Sequence, residues 1–179
     1  MKKILIVVDM QKDFIDGVLG TPEAAAIVPA VVQKIKAYTA AGDVVIVTRD
    51  THQSNYLDTQ EGKYLPLVHC VENTAGWQLD PRITDVLPVD TIYVDKPTFG
   101  STALVEYIGS YVQEFGQAGV QVELVGLCTD ICVVSNALIL KAFYYEMPIS
   151  LDSACCAGVT PSSHEAALAT MRSCQIQVL

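Results

Sequence analysis

Cys132 stands at a turn where its sulfur could act as a nucleophile. An apolar run, Val120-Gln121-Val122-Glu123-Leu124-Val125, ends at Gly126, and Cys128-Thr129-Asp130 leads into a helix-periodic segment over residues 131–145. The pattern reads as strand, tight turn and helix, with Thr129 or Asp130 as the N-cap. Cys132 then lies in the first helical turn, where unpaired N–H groups and the helix dipole favour a thiolate. The same N–H groups could receive an oxyanion if the sulfur attacked a carbonyl. Cysteine is more commonly buried as a small apolar residue, so position alone leaves the two readings level.

Three further places carry chemistry-bearing side chains directly after apolar runs. Asp9 follows Ile4-Leu5-Ile6-Val7-Val8, Arg49-Asp50 and His52 follow Val44-Val45-Ile46-Val47-Thr48, and Asp95-Lys96 follow Thr91-Ile92-Tyr93-Val94. Alone, Asp9 could serve a turn and Lys96 could be a solvated surface residue. Beside Cys132 they suggest more. A carboxylate can take the thiol proton and later deliver it to a leaving amine, while an ammonium favours both thiolate and oxyanion. Asp50, His52 and His69, with Asp58 and Glu61 between the histidines, offer nitrogen and oxygen ligands for a divalent metal. Hydrogen bonding within a loop is the competing use of the two histidines.

The elements that must position these groups alternate strand and helix. Residues 3–8 form a continuous apolar run of the kind buried on both sheet faces. Helical periodicity covers residues 28–41 and stops at Gly42, and residues 43–48 are a second buried strand. Residues 49–88 are too long for a simple connection and carry His52, His69 and the only tryptophan, Trp77. They read as a functional excursion with a short helix near residues 83–87. Beyond it come a strand at 91–94, a helix at 102–116, a strand at 121–125 and a helix at 131–146. A strand beginning at 149–151, a helix at 161–172 and a strand at 175–179 complete the chain. This predicts one domain over residues 1–179 of the α/β class: a three-layer α/β/α arrangement around a six-stranded, mostly parallel sheet. Ligands of such doubly wound sheets bind beyond the carboxyl ends of the strands, near the point where strand order reverses. Asp9, Asp50, His52, Lys96 and Cys132 all gather at that edge.

Composition bounds the partners. With 51% hydrophobic and 17% charged residues in 179, the chain can bury a core and is not disordered. A net charge of −9 speaks against nucleic acid or an anionic membrane as partner, and no segment approaches the length of a membrane span. Asp9 interrupts the apolar run after Met1-Lys2-Lys3 and no small-residue cleavage site follows, so that run reads as a strand rather than a signal peptide. Cys70, Cys128, Cys132, Cys155, Cys156 and Cys174 show no disulfide or zinc-finger framework. Reduced thiols in a cytoplasm are therefore expected.

Taken together, Asp9-Met10-Gln11-Lys12-Asp13-Phe14, Arg49-Asp50-Thr51-His52, His69-Cys70, Lys96 and Gly126-Leu127-Cys128-Thr129-Asp130-Ile131-Cys132 resemble the isochorismatase-like cysteine hydrolases. Within that superfamily they are closest in pattern to the nicotinamidases, in the same order along essentially the whole chain. The resemblance implies a Rossmann-like parallel sheet and a catalytic triad of Asp9, Lys96 and Cys132. It implies a cis peptide just before Cys128 and an oxyanion hole made by the backbone N–H groups of Cys128 and Cys132. It also implies a divalent metal, zinc first with manganese or iron as alternatives, on Asp50, His52 and His69, with Glu61 preferred over Asp58 as the fourth ligand. Phe14 matches one wall of the substrate pocket.

Two departures bear on the substrate. Nicotinamidases usually carry an aromatic residue a few positions before the second metal histidine, but Tyr64-Leu65-Pro66-Leu67-Val68-His69 has none at that place. The tyrosine common before the nucleophile is Ile131 here. The implied activity is hydrolysis of a small carboxamide, nicotinamide first, through a thioester with release of ammonia. Alternatives are another small amide or carbamoyl compound, isochorismatase chemistry, or a non-catalytic scaffold. The expected partners are a small-molecule amide and further copies of the chain in a homo-oligomer.

Overall fold

Strand β1, Lys2–Val8, lies in the middle of a six-stranded, wholly parallel sheet in the computed structural model, which describes residues 1–179. The chain runs outward from it through β2 (Val44–Asp50) to β3 (Ile92–Lys96). It then crosses back to place β4 (Val120–Leu127) on the other side of β1, followed by β5 (Ile149–Ala157) and β6 (Gln177–Val178). The order β3-β2-β1-β4-β5-β6 reverses between β1 and β4, as expected of a doubly wound sheet. Successive residues of a strand face opposite sides, which is why the apolar runs are continuous. Leu5 and Val7 pack beneath Ile27, Val28, Val31 and Ile35 of α2 (Pro22–Ala41). Ile4, Ile6 and Val8 face the other layer, built by α5 (Thr102–Phe115), α6 (Val134–Phe143) and α7 (Pro161–Ser173).

Several boundaries differ from the sequence expectation, each for a local reason. Helix α2 starts at Pro22 and not at residue 28. Thr21 caps it by accepting the Ala24 N–H at 3.0 Å, and a proline in the first turn loses no helical hydrogen bond. Pro29 sits inside the same helix, where it removes one donor without ending the helix. The helix stops at Gly42, in the left-handed region at φ 72, as its position suggests. Helix α1, Lys12–Ile15, follows β1, and the excursion holds two short α-helices, α3 at Gln60–Tyr64 and α4 at Pro81–Thr84, the latter capped by Asp80. Strand β3 reaches Lys96, and β5 runs to Ala157 through an irregularity opposite Leu124–Gly126.

The turn before Cys132 departs most. Residues Thr129–Val133 form a wide π-helical turn, in which Ile131 and Val133 both donate to the Cys128 carbonyl, and α6 proper begins only at Val134. Neither expected N-cap caps. Thr129 Oγ1 bonds His164 Nδ1 at 2.8 Å, and Asp130 accepts the Val159 N–H at 3.0 Å, so both side chains tie the turn to the start of α7. The Leu127–Cys128 peptide is cis. Gly126, at φ 115, lies against Val8, where any Cβ would collide with the Val8 carbonyl.

Candidate active site

The carboxyl ends of β1, β3 and β4 bring three buried groups together. Lys96, the last residue of β3 and paired in register with Asp50, is 1% exposed, so the solvated-surface reading of it is excluded. Its Nζ lies 2.7 Å from Asp9 Oδ2 and 3.4 Å from Cys132 Sγ, and donates to the Thr98 carbonyl at 3.1 Å. Asp9 leaves β1 at φ 47 and is fully buried, and its other carboxylate oxygen accepts the Thr48 hydroxyl at 2.6 Å. Burial pushes the Asp9 pKa up, against the pull of Lys96, and it pushes the Cys132 thiol up in the same way, reinforced by Asp9. Burial also works against the Lys96 charge, but Asp9, Cys132 and Asp50 outweigh it and hold the ammonium. The buried Lys96 cation therefore faces Asp9, Cys132 and, at 3.7 Å, Asp50 Oδ1. Asp9 is thus placed to exchange a proton with the Cys132 sulfur, with the Lys96 ammonium against both.

A second group stands beside the first. Asp50, His52, Glu61 and His69 each offer one ligand atom, and the four atoms lie within 4.8 Å of one another. Asp58, the alternative to Glu61, is not among them. His52 Nε2 is 3.0 Å from Asp50 Oδ2 and 3.6 Å from Glu61 Oε1; His69 Nε2 is 3.4 and 3.8 Å from the same atoms. His69 Nδ1 meets the Leu67 carbonyl at 2.8 Å, which fixes that nitrogen as the donor and leaves the Nε2 lone pair facing the group. His52 Nε2 is buried and, although 3.0 Å from Asp50 Oδ2, makes no well-aligned hydrogen bond. Two imidazoles and two carboxylates converging on one point, with such a nitrogen among them, fit a divalent cation. Burial raises the Asp50 pKa, but His52, His69 and Lys96 outweigh it and hold that carboxyl below the usual range; burial and Asp50 raise Glu61.

A cavity of about 270 Å³ opens onto both groups. Phe14, Leu65, Phe99, Ile131 and Val159 supply most of its wall, and Cys132, Cys128, Asp50, Glu61 and His69 its chemistry. Phe99 answers one departure noted in the sequence: an aromatic wall is present, but it comes from the loop after β3. Sequence reasoning also passed over Tyr56. Its buried ring lies 4.7 Å from that of His52 and 5.0 Å from that of His69, and its hydroxyl donates to the Leu65 carbonyl. Asn136 was missed as well. It accepts the Ser101 N–H at 2.9 Å and donates to the Cys132 carbonyl at 2.8 Å, so it joins the Cys132 turn to the loop that carries Phe99. Its place one helical turn after Cys132 is the only sequence signal it gives.

Known proteins resemble this chain over nearly its full length. A nicotinamidase of Schizosaccharomyces pombe is 28% identical over 209 aligned residues, covering 98% of this chain and 91% of its own. The crystal structure of a pyrazinamidase of Pyrococcus horikoshii in complex with zinc superposes with a TM-score of 0.83 at 29% identity, covering 100% of this chain and 99% of that one. An N-carbamoylsarcosine amidase of Thermoplasma acidophilum follows at 0.79 and 26%, covering 99% and 95%. The isochorismatase domain model matches residues 3–179, and with the parallel sheet and the site at its carboxyl edge, this places the chain in the isochorismatase family.

Proposed function

We propose that the protein is a cysteine-dependent amidohydrolase that releases ammonia from a small neutral carboxamide, with nicotinamide as the first substrate to consider. One observation carries the reading: a buried ammonium lies 2.7 Å from a carboxylate and 3.4 Å from a thiol at the floor of a largely apolar cavity. Cys132 Sγ attacks the amide carbon as Asp9 takes its proton, forming the C–S bond. The backbone N–H groups of Cys128 and Cys132 hold the oxyanion. Asp9 returns the proton to nitrogen as the C–N bond breaks and ammonia leaves. Water, deprotonated by Asp9, then cleaves the thioester and frees the acid. Lys96 keeps a positive charge beside both tetrahedral intermediates.

Asp50, His52, His69 and Glu61 would hold a divalent metal, zinc by preference given the two imidazoles, with manganese or iron as alternatives. When bound, it supplies a Lewis-acidic anchor for a substrate heteroatom or water. The cavity wall has no lysine or arginine and two carboxylates, which favours a neutral ring over the anionic substrates of isochorismatase or carbamoyl-amino-acid chemistry. The similarity to an N-carbamoylsarcosine amidase and the aliphatic Leu65 and Ile131 keep a different small amide as the second reading.

Incubation with nicotinamide, pyrazinamide and N-carbamoylsarcosine, scored for ammonia, tests the proposal. Ammonia should appear from the aromatic amides and vanish with Cys132→Ala; release from the carbamoyl compound alone would select the second reading. A cytoplasmic setting and a homo-oligomer of 19.3 kDa subunits belong to the same proposal. Tyr64, Leu67 and Val68, exposed beside the site, support the oligomer, and light scattering should read a mass that is a multiple of the subunit.

A further inference from the structure

Strand β1 stops pairing with β2 at Val8 and Thr48, because Asp9 turns the chain away. The Asp9 N–H still reaches the Thr48 carbonyl at 3.2 Å, but two residues on, Asp50 has no strand on that side to pair with. The fully buried side chain of Gln11 fills the place. Its Oε1 accepts the Asp50 N–H at 2.7 Å, and its Nε2 donates to the Asp50 carbonyl at 2.8 Å. The second Nε2 hydrogen goes to the Trp77 carbonyl at 2.9 Å. Only a side-chain amide offers an acceptor and two donors in this arrangement, so Gln11 extends the ladder as a missing peptide would.

Asp13 does the corresponding task for the other ligand-bearing segment. Its Oδ2 accepts the N–H of Cys70 at 2.8 Å, and Cys70 is the residue after His69, held at φ 45. The Asp13 N–H donates to the Gly76 carbonyl at 3.0 Å, and a Cβ at Gly76 would collide with the Asp13 carboxylate. Lys12 N–H bonds the Gln78 carbonyl between these two contacts. The segment after β1 is thereby laced to the backbone of both chains of the excursion that carry the cation-binding group. Neither Gln11 nor Asp13 belongs to that group.

We propose that Gln11 and Asp13 are a positioning pair that sets the affinity of the divalent-metal group without touching the ion. The inference rests on the metal reading above. Asp50 shares its carboxylate between the imidazoles, at 3.0 and 3.4 Å from Oδ2, and Lys96, at 3.7 Å from Oδ1. A small shift of its backbone misplaces all of these partners at once, which is why the support beneath a ligand counts.

The test uses the whole chain, stripped with a chelator and titrated with Zn(II) against a chromophoric competitor, and with Co(II) for its absorption spectrum. Gln11→Ala and Asp13→Ala should each weaken Zn(II) binding roughly tenfold to a hundredfold and alter the Co(II) bands, with the far-ultraviolet circular dichroism retained. Asp13→Asn, which keeps an acceptor for the Cys70 N–H, should retain most of the affinity. If Gln11→Ala does not fold, Gln11→Glu carries that arm, since it keeps the shape and one acceptor but loses both donors. Unchanged Zn(II) affinity in folded variants of both positions would overturn the pairing, as would loss of the fold in every variant. A wild-type chain that takes up no stoichiometric metal would instead remove the metal reading, and the inference with it.

Discussion

Lys96 is the side chain whose surroundings constrain the chemistry most. A buried ammonium survives only with a counter-charge, and here Asp9 stands at 2.7 Å and Cys132 at 3.4 Å. Asp9→Asn and Lys96→Ala should therefore each lower kcat by roughly a hundredfold or more, since each removes proton transfer or the charge that supports it. Retained circular dichroism would separate this from unfolding, and near-native turnover in either variant would mean the triad is misassigned. Alkylation gives an independent reading. A small alkylating amide near neutral pH should modify Cys132 first, because Asp9 can take its proton and the cavity reaches it. Cys128 lines the same cavity, but burial and Asp130 push its thiol up to about 12 with no such acceptor bonded to it; Cys70, Cys155 and Cys156 are buried. Peptide mapping showing loss of activity in step with Cys128 or Cys70, with Cys132 still free, would overturn the assignment. These residues were legible in the sequence because each follows an apolar run, and strand ends are where such sheets place ligands. Tyr56, Phe99 and Asn136 were not, because their value lies in contacts across 9 to 37 positions that no local pattern encodes.

Elements were legible to the extent that their signals were local. Strands β1 and β2 and the stop of α2 at Gly42 follow directly from hydrophobic runs and a left-handed cap. The turn at Thr129–Val133 departs from its local pattern because Thr129 and Asp130 look like caps, yet Thr129 bonds His164 of α7 and Asp130 bonds Val159 in the loop before it. The π-helical turn that results is set by tertiary partners, and propensity cannot show it. Helix α2 starts before the periodic apolar stretch that begins at Val28, because its first turn is set by the Thr21 cap and Pro22 and not by apolar spacing. Close strand approach makes a sharper forecast. Gly126→Ala should cost roughly 2–3 kcal/mol or more, from left-handed backbone and collision with the Val8 carbonyl in the middle of the sheet. Gly42→Ala, in the left-handed helical region at φ 72 and ψ 23 with open space around it, should cost only about 1 kcal/mol. Chemical denaturation of the two variants decides, and equal losses would show that the β1–β4 contact relaxes freely.

Across the molecule, the two layers on the sheet are joined to it mainly by apolar packing, but one polar knot crosses from α2 to β4 and β5. Lys34 Nζ lies 2.7 Å from Glu123 Oε1 and 2.8 Å from Asp152 Oδ2, and Tyr38 donates to the other oxygen of Glu123 at 2.7 Å. The parallel sheet and the site's place at its carboxyl edge could be read from alternation of elements; this knot could not, because its bonded pairs lie 85 to 118 positions apart. Its response to acid can be worked out. Burial raises the Asp152 pKa, but Lys34 outweighs it, so the folded-state pKa lies below that of the unfolded chain, about 3.9. A depressed carboxylate contributes stability that is present above the unfolded value and lost as pH falls through the folded one. Asp9 and Glu61, raised by burial, act in the opposite direction, so total stability does not isolate the effect. A difference does. Asp152→Asn should reduce the urea midpoint at pH 7, by an amount worth about 1 kcal/mol since the pair is partly wet, and the gap from wild type should shrink steadily below about pH 4. If the two proteins remain equally far apart at pH 7 and pH 3, the Lys34–Asp152 pair contributes no charge-dependent stability and the knot holds through Glu123 alone.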